Sequence, residues 1–573
     1  MKWKFKVEHV LLFICFFVLF AGAVWLGNKF IFQEIQEKTY GQYGLFFTFI
    51  IAAISITWLL RKKSELWIGT IQKKITPLVL LFGFWFIVSM PIVAYHTWVK
   101  QPEKVISQEP SRFFAADKVR PNIILIIFDA MTARDMSAYG YHRRTTPFIN
   151  KLAKSSSLFK NAQAESNLTT PAVASLMTGK RLWTHQTYHL KGSRPVKGAS
   201  ENLPLMLKKN GYYTMAFVAN PAASVNGLGI AESFDFAPVP TEFVNPDYLI
   251  GIIYKSLYQL FGDKIRLHNW IMREDFILRG LWDAIHPDFT KTGYPPEKIF
   301  ESFLSVIEDN PQEPFFAWIH LFPPHSPYLP PSPYMGMFDK SADLRTLKKQ
   351  GKIPLYEFKR EDQADIDILR ARYDEFIRYC DRQFEVFLAL LEAKNELKNT
   401  VIILSSDHGE SFEHNYQQHS GPHLYEQLIH IPLLIKEPNQ KEGGIIDNVV
   451  AQIDIPPTIL ELADIPIPSW MEGRSLVPLM RGKSLSVKPG FSMNFEKNFS
   501  RGHQITRGSI SVREGDYKLI HYLEGKKSLL FNVIKDPDEL NNLFDKEPEL
   551  GRNLLSFIKD NLKNANERIG NGM

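Results

Sequence analysis

The chain has 573 residues, of which 45% are hydrophobic and 22% charged, and its formal net charge is only +6. That charge, with no basic tract and no zinc-knuckle spacing, argues against a nucleic-acid partner. The two cysteines, Cys15 and Cys380, exclude a disulfide framework, because Cys15 lies within an apolar run.

Three apolar stretches come first, from Val10 to Leu26, Gly44 to Leu60 and Pro77 to Tyr95. Each approaches the roughly 17–25 residues that cross a bilayer as a helix, and none shows the polar face of a core helix. Lys2, Lys4 and Lys6 precede the first stretch, and Arg61, Lys62, Lys63, Lys73 and Lys74 fill the loop before the third. Basic residues stay on the inner side, so the N-terminus is predicted inside a cell membrane and everything after Tyr95 outside. Ala21-Gly22-Ala23 resembles a signal-peptide cleavage site, but the apolar run continues past it, which favours an uncleaved anchor. The division expected is three transmembrane helices over 1–96, a linker over 97–120, a catalytic domain over 121–485 and a C-terminal subdomain over 486–573.

From Pro121 the pattern alternates between strand, loop and helix. Ile123 to Phe128 and Val401 to Leu404 are continuous apolar runs, as a strand covered on both faces requires. Asp365 to Lys394 repeats apolar residues at helical spacing. The alternation predicts an α/β domain with a mixed, mostly parallel sheet between helices.

Both apolar strands run into acids. Asp129 follows Phe128 directly, and Val401–Leu404 leads through two serines to Asp407 and His408. Ligands bind at the carboxyl ends of such strands, and a carboxylate beside an apolar run needs a cationic partner. A metal ion answers for both acids and the histidine together. Thr169-Thr170-Pro171 opens a short helix ending near Gly179, with a threonine cap before a proline at the first helical position. Its N-terminus suits a phosphate or sulfate group, and a hydroxyl held there beside a metal is an activated nucleophile.

Several ordered motifs carry a resemblance. Pro121-Asn122-Ile123 through Asp129, Thr145-Thr146-Pro147-Phe148, His325-Ser326-Pro327-Tyr328, Ser406-Asp407-His408-Gly409-Glu410 and Leu424-Tyr425-Glu426 resemble the sulfatase family of the alkaline phosphatase superfamily. Asp454-Ile455-Pro456-Pro457-Thr458, Gly473-Arg474-Ser475-Leu476 and the stretch from Asp516 to Leu543 continue it in order. The family's modified cysteine is replaced by Thr169, the residues after Pro171 are Ala172 and Val173, and the second strand aspartate is Ala130. The set Asp129, Thr169, Asp407 and His408 is similar to the one-metal site of lipoteichoic acid synthases and lipid A phosphoethanolamine transferases. The resemblance implies a threonine nucleophile, a phospho-enzyme and one divalent ion. One nitrogen among oxygen donors favours zinc or manganese, leaving magnesium and calcium open. His325, His419 and His423 are candidates for contacting the ester or protonating its leaving group, or for holding a second ion.

Three functions follow: a hydrolase of phosphate, less readily sulfate, esters; a transferase using phospholipid donors at the outer membrane face; or a non-catalytic sensor or scaffold. Expected partners are membrane lipids and a phospholipid or glycan ester. The hydrolase is preferred, because the C-terminal pattern resembles the sulfatase branch. Specificity is expected from the aromatic-rich segment between Phe234 and Pro311, including Phe243, Tyr248, Tyr254, Tyr258, Trp270 and Trp282.

Overall fold

A computed structural model describes residue 55 and residues 120–189, 200–238, 295–309, 312–354, 356–499 and 502–570. Apart from residue 55, the three apolar stretches, the linker up to residue 119 and all six of those aromatic residues lie outside the described residues. Among the described residues no helix is long and apolar enough to cross a membrane.

The strands in chain order are β1 (Asn122–Asp129), β2 (Ser157–Gln163), β3 (Tyr213–Val218), β4 (Phe315–Pro324), β5 (Tyr356–Glu357), β6 (Thr400–Ser406), β7 (Ser411–Glu413), β8 (Tyr416–Gln418), β9 (His430–Lys436), β10 (Gly444–Ala451), β11 (Gly490–Asn494), β12 (Ser509–Glu514), β13 (Tyr517–Tyr522) and β14 (Lys527–Asn532). Helices of seven residues or more are α1 (Pro147–Ala153), α2 (Thr169–Thr178), α3 (Leu203–Lys209), α4 (Pro296–Asp309), α5 (Gln363–Ala393), α6 (Ile455–Leu462) and α7 (Pro548–Gly570).

Seven strands form the central sheet in the order β10-β2-β9-β6-β1-β4-β3. Only β9 runs against its neighbours; the other pairings are parallel. The sheet is therefore mixed and mostly parallel, as the sequence leads one to expect. β1 shows why its run is apolar throughout. Ile123, Leu125 and Ile127 enter the core on one face with Val173 and Leu176 of α2 and Ile455 and Ile459 of α6. Ile124, Ile126 and Phe128 enter the other with Phe300 and Phe303 of α4 and Phe376 and Phe384 of α5. Each such side chain contributes about 1.5–3 kcal/mol by leaving water.

A second sheet, β11-β12-β13-β14, is antiparallel. Its strands alternate, and one face (Ile510, Val512, Leu519, Leu530) packs on Leu554, Ile558, Ala565 and Ile569 of α7. Four buried charges link it to the main sheet's loops. Glu426 meets Lys518 of β13 and Arg513 of β12, each at 2.9 Å, and Lys518 also meets Glu539 at 2.9 Å.

The helix carrying Thr169 departs from expectation in one detail. It begins at Thr169, so Thr170 is not its cap; the cap position is Leu168, with no side-chain hydrogen bond. Pro171 therefore stands third in the helix rather than first. The two threonines have other partners: Thr170 donates to the Ala222 carbonyl at 2.8 Å, and Thr169 is 3.2 Å from His408. Proline is tolerated there because first-turn N–H groups have no partner within the helix.

Candidate metal and ester site

Asp129 ends β1, and Asp407 and His408 follow β6, its parallel neighbour. The two strands thus deliver their acids to one rim. The backbone turns after Asp129: Ala130 has φ 59°, the left-handed region that a residue with a Cβ rarely adopts. That turn aims the Ala130 N–H at Asp407 Oδ1, 3.1 Å away, and the His408 N–H reaches the same oxygen at 2.8 Å. Both donors take Oδ1 and leave Asp407 Oδ2 free. On the other acid, Asn220 donates to Asp129 Oδ2 and leaves Oδ1 free.

The two free oxygens converge. Asp129 Oδ1 and Asp407 Oδ2 are fully buried, without hydrogen-bond partners, and each lies 3.7 Å from His408 Nε2. Thr169 Oγ1 is 3.2 Å from that same nitrogen. His408 Nδ1 donates to the Gly409 carbonyl at 2.9 Å, which fixes the tautomer and leaves Nε2 with its lone pair facing the oxygens. Donor atoms of Asp129, Asp407 and His408 all lie within 4.8 Å of one another.

Electrostatically the arrangement is incomplete without a cation. Burial pushes the Asp129 carboxyl well above its usual range, and the nearby Asp407 pushes it further. Burial acts on Asp407 in the same direction, but His408 and His320 outweigh it and hold that carboxyl below its usual range. His408 is lowered to about 4, chiefly by burial. Two orphaned carboxylate oxygens and a neutral imidazole nitrogen at these separations are a donor set for one divalent ion with bonds of about 2.0–2.2 Å. The residues present fit such an ion.

The candidate histidines fall into two groups. His419 stacks near His408, with ring centroids 4.4 Å apart, and near His325, at 4.8 Å. Its Nδ1 donates towards both oxygens of Glu410, at 3.2 and 3.3 Å, so its Nε2 is free. His325 donates from Nδ1 to the Ser326 carbonyl at 2.6 Å, which likewise frees Nε2. His423 is turned elsewhere: its ring contacts are Tyr416, Tyr425 and Tyr522, and its Nδ1 is 3.2 Å from the Tyr522 hydroxyl. The structure therefore brings His325 and His419 to the cluster and not His423. Among the described residues no second group of metal-spaced donors exists.

Asn167, Asn220, His320 and Glu410 are site residues without an assigned role in the sequence reading. Asn220 lies just past the end of β3, as Asp129 closes β1, so position at a strand's carboxyl end was its one signal. Asn167 donates to the carbonyls of Ser420, Gly421 and His423 and so ties the His419 loop to the start of α2. Glu410 is buried and pushed up to about 7, mainly by burial and against the pull of His325 and His408.

A mixed, mostly parallel α/β fold thus brings a cation-ready cluster, a hydroxyl and two imidazoles to one rim, an arrangement suited to an ester-cleaving hydrolase. Residues 121–465 match the family described as Sulfatase, and the chain belongs to it. Residues 413–568 also match the C-terminal region of N-sulphoglucosamine sulphohydrolase. Chicken arylsulfatase K is 26% identical over 479 residues, covering 77% of this chain and 82% of that protein. The N-acetylglucosamine-6-O-sulfatase of Bacteroides thetaiotaomicron is 22% identical, covering 74% and 83%. Among solved structures, the phosphonate monoester hydrolase of Agrobacterium radiobacter superposes with a TM-score of 0.58 at 21% identity, covering 78% of this chain and 95% of that one. The protein is thus a sulfatase-family hydrolase.

Proposed function

We propose that the protein hydrolyses a phosphate ester through a covalent intermediate on Thr169. The observation that carries this reading is the position of Thr169 Oγ1, 3.2 Å from the nitrogen that the two free carboxylate oxygens also face, at the N-terminus of α2. Asp129, Asp407 and His408 would hold a divalent ion, zinc or manganese being favoured by the single nitrogen. Such an ion lowers the pKa of an adjacent hydroxyl and neutralises charge on the ester's free oxygens.

The chain's own groups supply the rest. Thr169 Oγ attacks phosphorus as its proton departs to solvent, forming the Thr169–phosphate bond while the bond to the alcohol oxygen breaks. The alcohol leaves with a proton delivered from Nε2 of His325 in its doubly protonated form, while His419, lowered to about 3 chiefly by burial, stays neutral beside it. Water then attacks phosphorus and gives a proton to His325, the threonine oxygen leaves and takes a proton back from solvent, and phosphate is released. N–H groups at the start of α2 stabilise the anion throughout.

Sulfate esters are the second reading, favoured by the printed names of arylsulfatase K and the Bacteroides sulfatase. A Thr169 ester of either acid must be opened by attack at phosphorus or sulfur, so the preference for phosphate rests on the resemblance of the Asp129, Thr169, Asp407 and His408 set to phosphate-transferring enzymes. On the alcohol side, the name N-acetylglucosamine-6-O-sulfatase favours a sugar hydroxyl. The test is turnover of an aryl phosphate, an aryl phosphonate and an aryl sulfate by manganese-loaded protein, with phosphopeptide mapping. Thr169→Ala should lower turnover at least 10³-fold while retaining ion binding, and Thr169→Ser should keep measurable activity. Unchanged turnover in Thr169→Ala would remove the nucleophile, and turnover of the sulfate alone would replace phosphate by sulfate.

The apolar stretches before residue 96 support a membrane-bound enzyme whose catalytic domain faces outward. Protease added to intact cells should then cut the catalytic domain; complete protection would reverse the orientation.

A further inference from the structure

One imidazole beside the cluster has no partner within hydrogen-bond distance. His320 of β4 is fully buried, and neither its Nδ1 nor its Nε2 has a hydrogen-bond partner. Leaving a buried ring N–H unsatisfied costs about 1–3 kcal/mol, so an unpartnered histidine in a close-packed core asks for a reason. Its surroundings supply one. Nε2 stands 3.6 Å from Asp407 Oδ2, the carboxylate oxygen that the backbone leaves free. Trp318, two residues earlier on β4, meets the ring edge-on with centroids 6.0 Å apart.

The two oxygens of Asp407 therefore have different roles. Oδ1 is fixed by the N–H groups of Ala130 and His408. Oδ2 faces His408 Nε2 at 3.7 Å and His320 Nε2 at 3.6 Å. His320 does not belong to the donor set whose atoms lie within 4.8 Å of one another, so it flanks the cluster. A shift of roughly half an ångström would bring its Nε2–H into hydrogen-bond range of Oδ2.

We propose that His320 is a positioning residue of the metal centre, holding Asp407 Oδ2 in its ligating orientation through an Nε2–H hydrogen bond once the ion is bound. The inference rests on the reading of Asp129, Asp407 and His408 as the ion's ligands. Outer partners of this kind fix a ligand's orientation, and their loss typically weakens metal binding about 10–100-fold. A purely structural histidine would behave differently, since its loss would be felt equally with and without an ion.

The experiment uses the full chain in detergent, stripped with chelator and titrated with Mn²⁺ against a competing indicator. His320→Leu removes the donor, His320→Asn keeps polarity but shortens the reach, and His320→Gln places an amide N–H near the original Nε2. Thermal unfolding in excess chelator is measured for each. The expected result is Mn²⁺ affinity lowered 10–100-fold in His320→Leu and His320→Asn and largely restored in His320→Gln. Unfolding midpoints in chelator should stay within a few degrees of the parent. Parent-like affinity in both His320→Leu and His320→Asn would overturn the proposal. So would an affinity loss matched by an equal loss of stability in chelator, because that is packing. Should His320→Leu fail to fold, the comparison of Asn with Gln decides. Failure of the unaltered protein to bind Mn²⁺ or Zn²⁺ would instead overturn the ligand assignment on which the inference stands.

Discussion

Single residues here show how burial sets protonation. His185 is fully buried and His430 part-buried, both away from the cluster's donors, and loss of water around the rings lowers them to about 3 and about 4. His185 is satisfied as a neutral ring, with Nε2 2.9 Å from Ser175 Oγ and Nδ1 accepting from the Thr187 N–H at 3.0 Å. A histidine whose folded pKa lies below its unfolded value of about 6.5 binds its proton first in the unfolded chain. Its penalty is absent above pH 6.5 and grows as pH falls towards the folded pKa. Each group should therefore cost about 1 kcal/mol per pH unit below 6.5. The unfolding midpoint of chelated protein should drop between pH 7.5 and 5. His185→Gln, which keeps the bond to Ser175, should shrink that drop; an unchanged pH profile in this variant would contradict the assignment.

At the level of elements, the junction between the two sheets depends on Glu426. Burial alone would raise its carboxyl, but Lys518 and Arg513 hold it well below the usual range. Truncating one partner of such a network strands the others, so Glu426→Ala should destabilise by about 3–5 kcal/mol. Denaturant unfolding would measure this, and a change below 1 kcal/mol would mean that water reaches the cluster. β1 and β6 were legible in the sequence because strands covered on both faces need no polar positions, and Asp129, Asp407 and His408 were legible because they follow those runs directly. The start of α2 was misplaced because Thr169 and Thr170 look like caps, while their hydroxyls turn to His408 and Ala222. His320 was not legible at all: it sits in an apolar strand and becomes distinctive only through a neighbour 87 positions along the chain.

For the molecule as a whole, stability and function pull against each other at the cluster. Two buried carboxylates facing one another destabilise the ion-free fold, and Asp129 records that in its raised pKa. Asp129→Asn should therefore raise the unfolding midpoint in chelator while abolishing the further rise that Mn²⁺ gives the parent. At a free ion concentration 100 times the dissociation constant, that parental gain is about 2.7 kcal/mol. Calorimetry with and without chelator separates the two effects. If Asp129→Asn were less stable than the parent in chelator, the acids would be held by contacts other than an ion.

The turn after β1 has a bearing on biosynthesis. The bond from the Ala130 N–H to Asp407 spans 277 positions, and β1 pairs with β6 only once that later strand exists. While a ribosome is still making the first half, Asp129 and Thr169 are merely an acid and an alcohol on an unfinished sheet. Adventitious cations met early have no trap to enter. Capture of the proposed ion would thus be a late checkpoint, passed only by chains whose topology has already closed.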